Sequence, residues 1–336
     1  MSILLIGPRE EDDPCVALVA AALRRLGAEP CVLSTEDFPG RLLLSFAAEG
    51  TPSGSFNGMD LTTVQAVWVR HMEAGEALPA ELDPIHREIC IHQAQAALWS
   101  MLDCLDVFVL DPPVFLLGSP RKPGMQRMAQ RHGLRVPRSL VSNDPAAVEA
   151  FSSLCPTGMI VKLIESGGVM IREEGRNKAF PTMELAPGEP LPGLELAPML
   201  FQEKILKRRE LRLTIVGPKV FTAAVEPGDV LDWRTDAAIV RSFRAFDGLP
   251  TEVEAAVLGM MDELGLDYGT VDLIETPEGD FVFLEINSIS FFDHVQRHAG
   301  LPIAEAVAEL LLGILPSRFE ARRPLQRRVQ SGKMPL

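Results

Sequence analysis

The hydrophobic pattern at the start of the chain predicts a βαβ unit. Residues 2–6 form a continuous apolar run, which is typical of a buried parallel strand. Apolar residues recur at helical spacing over residues 16–26, and a second short apolar run follows at residues 31–33. The alternation of strand and helix predicts a parallel sheet, which we expect the run at residues 65–69 to join.

The rest of the chain predicts a mixture of helices and strands rather than a second run of βαβ units. Asp111-Pro112-Pro113 ends a strand and marks the first predicted domain boundary. Residues 181–198 contain five prolines and predict a loop. The predicted helices are residues 86–105, 123–132, 145–154, 251–264 and 303–315, and the predicted extended segments are residues 107–110, 136–141, 159–164, 199–205, 211–216, 220–225, 270–276 and 280–286.

The last two predicted strands form a hairpin that places acidic side chains opposite each other. With a two-residue loop, Glu278-Gly279, Asp272 lies directly across from Glu285, and Asn287 projects from the same face. Two carboxylates opposed in an apolar sheet need a counter-charge, and Mg²⁺ accepts these oxygen ligands. A loop of another length would instead place the carboxylates on opposite faces or at a wet edge, so both interpretations stay open at this point.

Two further features are candidates for binding phosphate. Neither the Gly-x-x-x-x-Gly-Lys-Ser/Thr motif nor Gly-x-Gly-x-x-Gly after the first strand is present, so a nucleotide needs other contacts. Lys162, at a strand end, and the Gly167 and Gly168 amides of a short glycine loop could approach phosphate oxygens. Taken alone, the same residues are typical of a solvated edge charge and an ordinary turn.

A basic stretch at residues 204–212 carries a local charge of +4 in an otherwise acidic chain. It contains Lys207, Arg208 and Arg209, and it suits a triphosphate or an acidic peptide. A solvated edge strand would carry the same charges, because edge lysines and arginines oppose aggregation.

The composition of the chain narrows the classes of protein to which it can belong. The chain has 336 residues, 47% hydrophobic and 23% charged, with a net charge of −14. This balance is typical of a globular protein and argues against a nucleic-acid partner. The five scattered cysteines, the lack of a signal-peptide pattern and the lack of an apolar run of membrane-spanning length predict a cytoplasmic protein with no membrane association.

In chain order, these features resemble the ATP-grasp ligases, and among them the graspetide (microviridin-type) peptide maturases. The resemblance runs from Ile3 to about Leu312. The matching motifs are Asp12-Asp13-Pro14, Asp37-Phe38-Pro39, Val67-Trp68-Val69-Arg70, Lys122-Pro123-Gly124-Met125, Gly133-Leu134-Arg135-Val136-Pro137, Gln202-Glu203-Lys204-Ile205 and Asp232-Trp233-Arg234.

The resemblance implies a role for each candidate residue. Lys122 and Lys162 correspond to the two ATP lysines, and Arg212 to the arginine near the transferred phosphate, so Lys162 and Arg212 are the catalytic candidates. Glu203, Lys204 and Ile205 resemble the adenine hinge, Glu210 resembles the ribose ligand, and Asp272, Glu285 and Asn287 fall on the Mg²⁺ ligands. For an acidic precursor peptide, the candidate contacts are Lys207, Arg208, Arg209 and Arg234.

The implied fold is α/β, of the α+β ATP-grasp type. We expect a pre-ATP-grasp N-terminal βαβ domain at residues 1–118, a central lid subdomain at 119–201, a C-terminal mixed-sheet catalytic subdomain with the Mg²⁺ site at 202–316, and a basic tail at 317–336.

The implied activity is an ATP- and Mg²⁺-dependent ligation through an acyl phosphate, which macrocyclises a ribosomally made precursor peptide through Asp or Glu side chains. The partner is then the leader and core of that precursor, and a homodimer is left open. The family's Pro-x-Gly-Gln-Trp after the asparagine is replaced here by Ser288-Ile289-Ser290-Phe291-Phe292. Two alternatives therefore stay open: a ligase of free amino acids or small metabolites, and a non-catalytic nucleotide-binding partner protein.

Overall fold

The protein is described from a computed structural model. The described residues are 2–47, 53–70, 72, 74–111, 121–164, 170–173, 176–179, 182–186, 188–226, 228 and 230–319. The predicted phosphate-loop residues Gly167 and Gly168 lie outside these ranges. All five cysteines lie inside them and are free thiols. Within these residues, no helix has both the length and the apolar character needed to cross a membrane.

The described residues form eight helices and eighteen strands in five sheets. The helices are α1 Pro14–Arg25, α2 Pro84–Cys104, α3 Lys122–Arg131, α4 Pro145–Ser152, α5 Ala237–Val240, α6 Thr251–Leu264, α7 Asp293–Ala299 and α8 Ile303–Leu311. The strands are β1 Ser2–Gly7, β2 Glu29–Ser34, β3 Leu44–Ala47, β4 Ser53–Phe56, β5 Met59–Asp60, β6 Val64–Val69, β7 Phe108–Leu110, β8 Ser139–Ser142, β9 Met159–Lys162, β10 Met170–Glu173, β11 Arg176–Ala179, β12 Met183–Leu185, β13 Met199–Glu203, β14 Arg209–Val216, β15 Lys219–Val225, β16 Arg244–Ala245, β17 Tyr268–Glu275 and β18 Phe281–Asn287.

The N-terminal sheet is parallel, with the order β2-β1-β6-β7, which confirms the predicted βαβ opening. The helix α1 begins where the Asp13 carboxylate accepts hydrogen bonds from the backbone N–H groups of Cys15 and Val16. Pro14 stands in its first turn, where a missing N–H costs nothing.

The central sheet is antiparallel, with the order β12-β9-β13-β8. Its strand β12 lies within residues 181–198, so the prediction of a loop there was wrong in part. The strand is only three residues long and is fixed by pairing with β9, a tertiary contact that hydrophobic periodicity does not reveal. The predicted extended segment at residues 136–141 likewise becomes a strand only from Ser139.

The largest sheet is antiparallel, with the order β16-β15-β14-β17-β18. Its side chains Leu213 and Leu273 form a core with Met260 of α6. On the other side, Tyr268 belongs to a second core that also contains residues of β1, α1 and α8. The helix α8 ends at Leu311, short of the predicted Leu315, because the chain turns at Gly313 with φ of +72°.

A shared core therefore joins the N-terminal and the largest sheets. The domain boundaries at residues 118, 201 and 316 stay predictions.

The hairpin of β17 and β18 has the predicted pairing, but not for the predicted reason. Asp272 pairs with Glu285, as expected. The turn, however, contains three residues, because the Thr276 N–H donates to the Asp280 carbonyl at 2.8 Å and Gly279 adopts φ of +91°. The longer turn shifts the register by one residue, and a bulge after Asp272, at Leu284 on β18, shifts it back.

Candidate nucleotide and metal site

A cavity of about 440 Å³ lies beside the central and the largest sheets. This volume falls within the range of small-molecule sites. Five acidic and five basic side chains line the cavity: Glu203, Glu210, Asp232, Asp272, Glu285, Lys122, Lys162, Lys204, Lys207 and Arg234. The remaining lining is partly apolar and includes Ile160, Ile205, Leu231, Ile274 and Leu284. Ten of the fourteen predicted site residues that the structure describes therefore line one cavity.

The two opposed carboxylates lie at one end of this cavity, and each has a cation beside it. Arg212, which pairs with Asp272 in the β14–β17 register, donates to both Asp272 oxygens at 2.8 and 2.9 Å. The Lys122 ammonium lies 3.8 Å from Glu285 Oε2. The Asn287 side-chain amide donates to Glu285 Oε1 at 3.3 Å, which leaves its own carbonyl oxygen for another partner.

Lys162 ends β9 and reaches the same end of the cavity. Burial lowers the pKa of its ammonium; the Glu285 carboxylate opposes this shift, and the Lys122 ammonium adds to it. The Lys122 ammonium also donates to the Leu163 carbonyl at 3.4 Å, which ties α3 to the end of β9. Two lysines and one arginine thus lie near the carboxylate pair.

The residues of the predicted adenine hinge, Glu203, Lys204 and Ile205, also line the cavity. The backbone N–H groups of Glu203 and Lys204 donate to the carbonyls of Arg138 and Gly158, which fixes the chain as it leaves β13. The Lys204 ammonium pairs with Glu184 of β12 at 2.7 Å. A flat base could lie against this backbone, next to Ile205.

Of the remaining predicted residues, Arg234 lines the cavity, whereas Arg208 and Arg209 do not. Arg234 lines the cavity and holds the Asp232 carboxylate through two hydrogen bonds of 2.8 Å, and this pairing raises the pKa of Arg234. Arg208 and Arg209 instead approach the buried Glu275 carboxylate at 3.2 and 3.1 Å. Of these two, Arg208 is the more accessible, with 55% of its side chain exposed.

Sequence reasoning missed the residues that hold Arg212 in place. Ser290 accepts a short hydrogen bond from the second guanidinium nitrogen of Arg212, and the Tyr268 hydroxyl donates to the Ser290 carbonyl at 2.9 Å. The Phe292 N–H donates to the Cys15 thiol sulfur at 3.3 Å, and the Arg70 guanidinium lies 4.2 Å from the Phe291 ring centre. Residues 290–292, which depart from the family pattern, are therefore held by Arg212 and Tyr268 and by Cys15 and Arg70. The sequence showed that this segment departs from the family pattern, but it did not show which residues the segment contacts.

The donor set fits a divalent cation that completes its shell with phosphate oxygens. No group of three His, Cys, Asp or Glu side chains suited to a metal occurs in the described part of the chain. Asp272, Glu285 and Asn287 offer two carboxylates and one amide oxygen, which is the hard-oxygen set that Mg²⁺ accepts. Each carboxylate also has lone pairs beyond those that Arg212 and Lys122 use.

Comparison with known proteins identifies the fold and the family. The sequence model of the family described as MvdD pre-ATP grasp domain matches residues 2–114. The chain is 30% identical to the macrocyclase MdnC of Microcystis aeruginosa MRC, solved with its precursor peptide MdnA, with a TM-score of 0.83 over 93% of this chain and 100% of MdnC. An ATP-grasp ligase of Chryseobacterium gregarium, solved with ADP and a leader and core peptide, is 24% identical, with a TM-score of 0.86 over 95% of this chain and 98% of that one.

A further relative is the probable alpha-L-glutamate ligase 2 of Shewanella amazonensis, which is 24% identical over 74% of this chain and 81% of its own length. The fold is that of an ATP-grasp ligase. Within this class, the chain belongs to the family of ATP-grasp maturases that contains MdnC.

Proposed function

We propose that this protein is an ATP- and Mg²⁺-dependent ligase that activates side-chain carboxylates of a ribosomally made precursor peptide and joins them to hydroxyl or amine side chains of the same peptide. The observation that carries the proposal is the opposed pair Asp272 and Glu285, with Arg212 and Lys122 beside it, at one end of a cavity of about 440 Å³. The 30% identity to MdnC along the whole of that chain supports a peptide as the substrate.

The balance of charges in the cavity supports the binding of a nucleotide together with a metal ion. Its five acidic and five basic side chains balance, so a bare triphosphate would add several negative charges without compensation. When bound, Mg²⁺ supplies the missing positive charge and stabilises the charge that develops on the phosphate oxygens. Asp272, Glu285 and Asn287 would hold it.

The reaction has two steps. In both of them, the side chains of this protein mainly position the reacting groups and neutralise their charge. In the first step, an oxygen of the peptide carboxylate attacks the γ-phosphorus of ATP. The bond from that phosphorus to the bridging oxygen breaks, and ADP leaves. In the second step, a peptide hydroxyl or amine attacks the acyl carbon, and inorganic phosphate leaves together with one proton. Lys122, Lys162 and Arg212 would bind the phosphate oxygens through both steps.

Mass spectrometry tests the proposal when the precursor peptide encoded beside the gene is incubated with ATP and Mg²⁺. We expect the product to be lighter by one water for each bond formed, with one ADP and one phosphate released. The same assay with free amino acids tests the alternative that the similarity to a glutamate ligase supports. Turnover of amino acids together with an unchanged peptide would contradict the proposal in favour of a small-molecule ligase.

Arg208 is the best-exposed member of the basic stretch proposed to attract the peptide. We expect Arg208→Glu to raise KM for the precursor severalfold at low salt and less at high salt, because surface charges are screened by salt. The Kd of ATP should change little. Arg25→Glu is a matched control, since Arg25 is 59% exposed and also has one acidic partner, Glu305. A peptide KM that moves equally in both variants, or in neither, would remove Arg208 from the peptide site.

A further inference from the structure

Lys207 lies where three parts of the cavity wall meet. Its ammonium donates to Glu210 Oε1 at 2.5 Å, to the Val230 carbonyl at 2.7 Å and to the Leu231 carbonyl at 3.0 Å. An ammonium has three N–H groups, so these bonds use all of them. Only 11% of the Lys207 side chain is exposed. The residue therefore connects the hinge, β14 and the segment that leads to Asp232, rather than presenting a charge to solvent.

The contact with Lys207 opposes the effect of burial on the Glu210 carboxylate. Its side chain is 11% exposed, and burial raises its pKa, whereas the Lys207 ammonium acts in the opposite direction. The bond to Lys207 occupies Oε1 and fixes the plane of the carboxylate. Glu210 lies among the residues that line the cavity.

The carbonyls of Val230 and Leu231 are held by the same ammonium. They immediately precede Asp232, whose carboxylate binds the Arg234 guanidinium at the cavity. Loss of Lys207 would therefore release two features at once: the orientation of Glu210 and the position of this segment.

The family resemblance assigns the ribose hydroxyls of ATP to Glu210. We infer that Lys207 is a positioning residue of the nucleotide site, which holds the Glu210 carboxylate in place for that contact. The inference rests on the proposed function, since it requires that the cavity binds ATP. It also gives Lys207 a role other than the peptide contact that its charge suggests in the sequence.

Calorimetry with two nucleotides tests the inference. ATP and 2′,3′-dideoxy-ATP differ only in the hydroxyls that Glu210 would bind, and both are measured with Mg²⁺ and without peptide. We expect the parent protein to bind ATP about tenfold more tightly than the dideoxy nucleotide, because a hydrogen bond to a charged group is lost. In Lys207→Met this preference should fall to about twofold or less. Lys219→Met is the control, as its side chain is 44% exposed and pairs with Glu309, and it should keep the full preference.

A second comparison separates orientation of Glu210 from a general loss of structure. In a Glu210→Ala background, Lys207→Met should leave the ratio of the two affinities unchanged, because the carboxylate that Lys207 would position is already absent. Lys207→Arg should restore part of the preference. Full preference for ATP in Lys207→Met would overturn the inference. A parent protein that binds neither nucleotide would instead overturn the proposed function, and a parent that binds both equally would overturn the assignment of Glu210.

Discussion

Glu285→Gln should abolish ligation while the protein stays folded. The substitution keeps the shape and the contact with Asn287 but removes the charge of one of the two opposed carboxylates. It leaves one carboxylate for the metal, and the developing phosphate charge loses several kcal/mol of stabilisation. We expect peptide-dependent ADP release to fall by about a thousandfold or more, which is the rate equivalent of roughly 4 kcal/mol. Coupled detection of ADP and thermal unfolding on the same preparation measure both quantities.

Glu278→Gln is the matched control for this variant. Glu278 is exposed in the turn of the same hairpin and is not one of the residues that line the cavity, so its charge change should leave turnover within twofold of the parent. Near-normal ATP consumption by folded Glu285→Gln would remove the metal assignment. An equal loss in both variants would show instead that the hairpin responds to any change of charge.

Lys162→Met should weaken ATP binding without weakening the fold. Because burial lowers the pKa of Lys162, the folded protein holds this charge at a cost in stability. That cost is present at pH values below the lowered pKa. It disappears as pH rises from the lowered pKa to the ordinary value for lysine, so stability rises with pH across this window. A buried methionine carries no such cost. We therefore expect the free energy of unfolding at pH 7 to equal or exceed that of the parent, while the Kd of ATP rises at least about tenfold.

Lys219→Met provides the comparison. Lys219 is 44% exposed and pairs with Glu309 away from the cavity, so its loss should change stability by about 0.5 kcal/mol or less and ATP affinity not at all. Calorimetry and denaturant unfolding at several pH values measure these effects. A Lys162→Met protein with the parent's affinity for ATP would show that this lysine is only a charge at the end of a strand.

Local hydrophobic patterns were sufficient to predict the N-terminal βαβ unit and the amphipathic helix α6. The continuous apolar run of β1 and the helical spacing in α1 are properties of adjacent residues, and α6 has the predicted bounds of residues 251–264. The strand β12 could not be predicted in the same way. Its three residues become a strand through pairing with β9, which lies more than twenty residues earlier in the chain.

The hairpin shows that a correct prediction can rest on an incorrect premise. The turn is one residue longer than Glu278-Gly279 alone, and the bulge at Leu284 compensates, so Asp272 still faces Glu285. For the basic stretch, the sequence was sufficient for the charge but not for the contacts. Its composition is evident in the sequence, but the division between Lys207 at the cavity and Arg209 at Glu275 depends on the register of β14. The Val230 and Leu231 carbonyls and the Glu275 carboxylate come from distant segments, which sequence spacing does not specify.

The most direct test of the central claim follows an oxygen atom from the peptide to phosphate. The side-chain carboxylates of the precursor are labelled with ¹⁸O, and the peptide is incubated with the enzyme, unlabelled ATP and Mg²⁺. If the carboxylate attacks the γ-phosphorus, the phosphate released at bond formation retains one peptide oxygen, so one ¹⁸O should appear in inorganic phosphate for each water lost from the peptide. Phosphate that carries no ¹⁸O while the peptide still loses water would contradict activation of the carboxylate as an acyl phosphate.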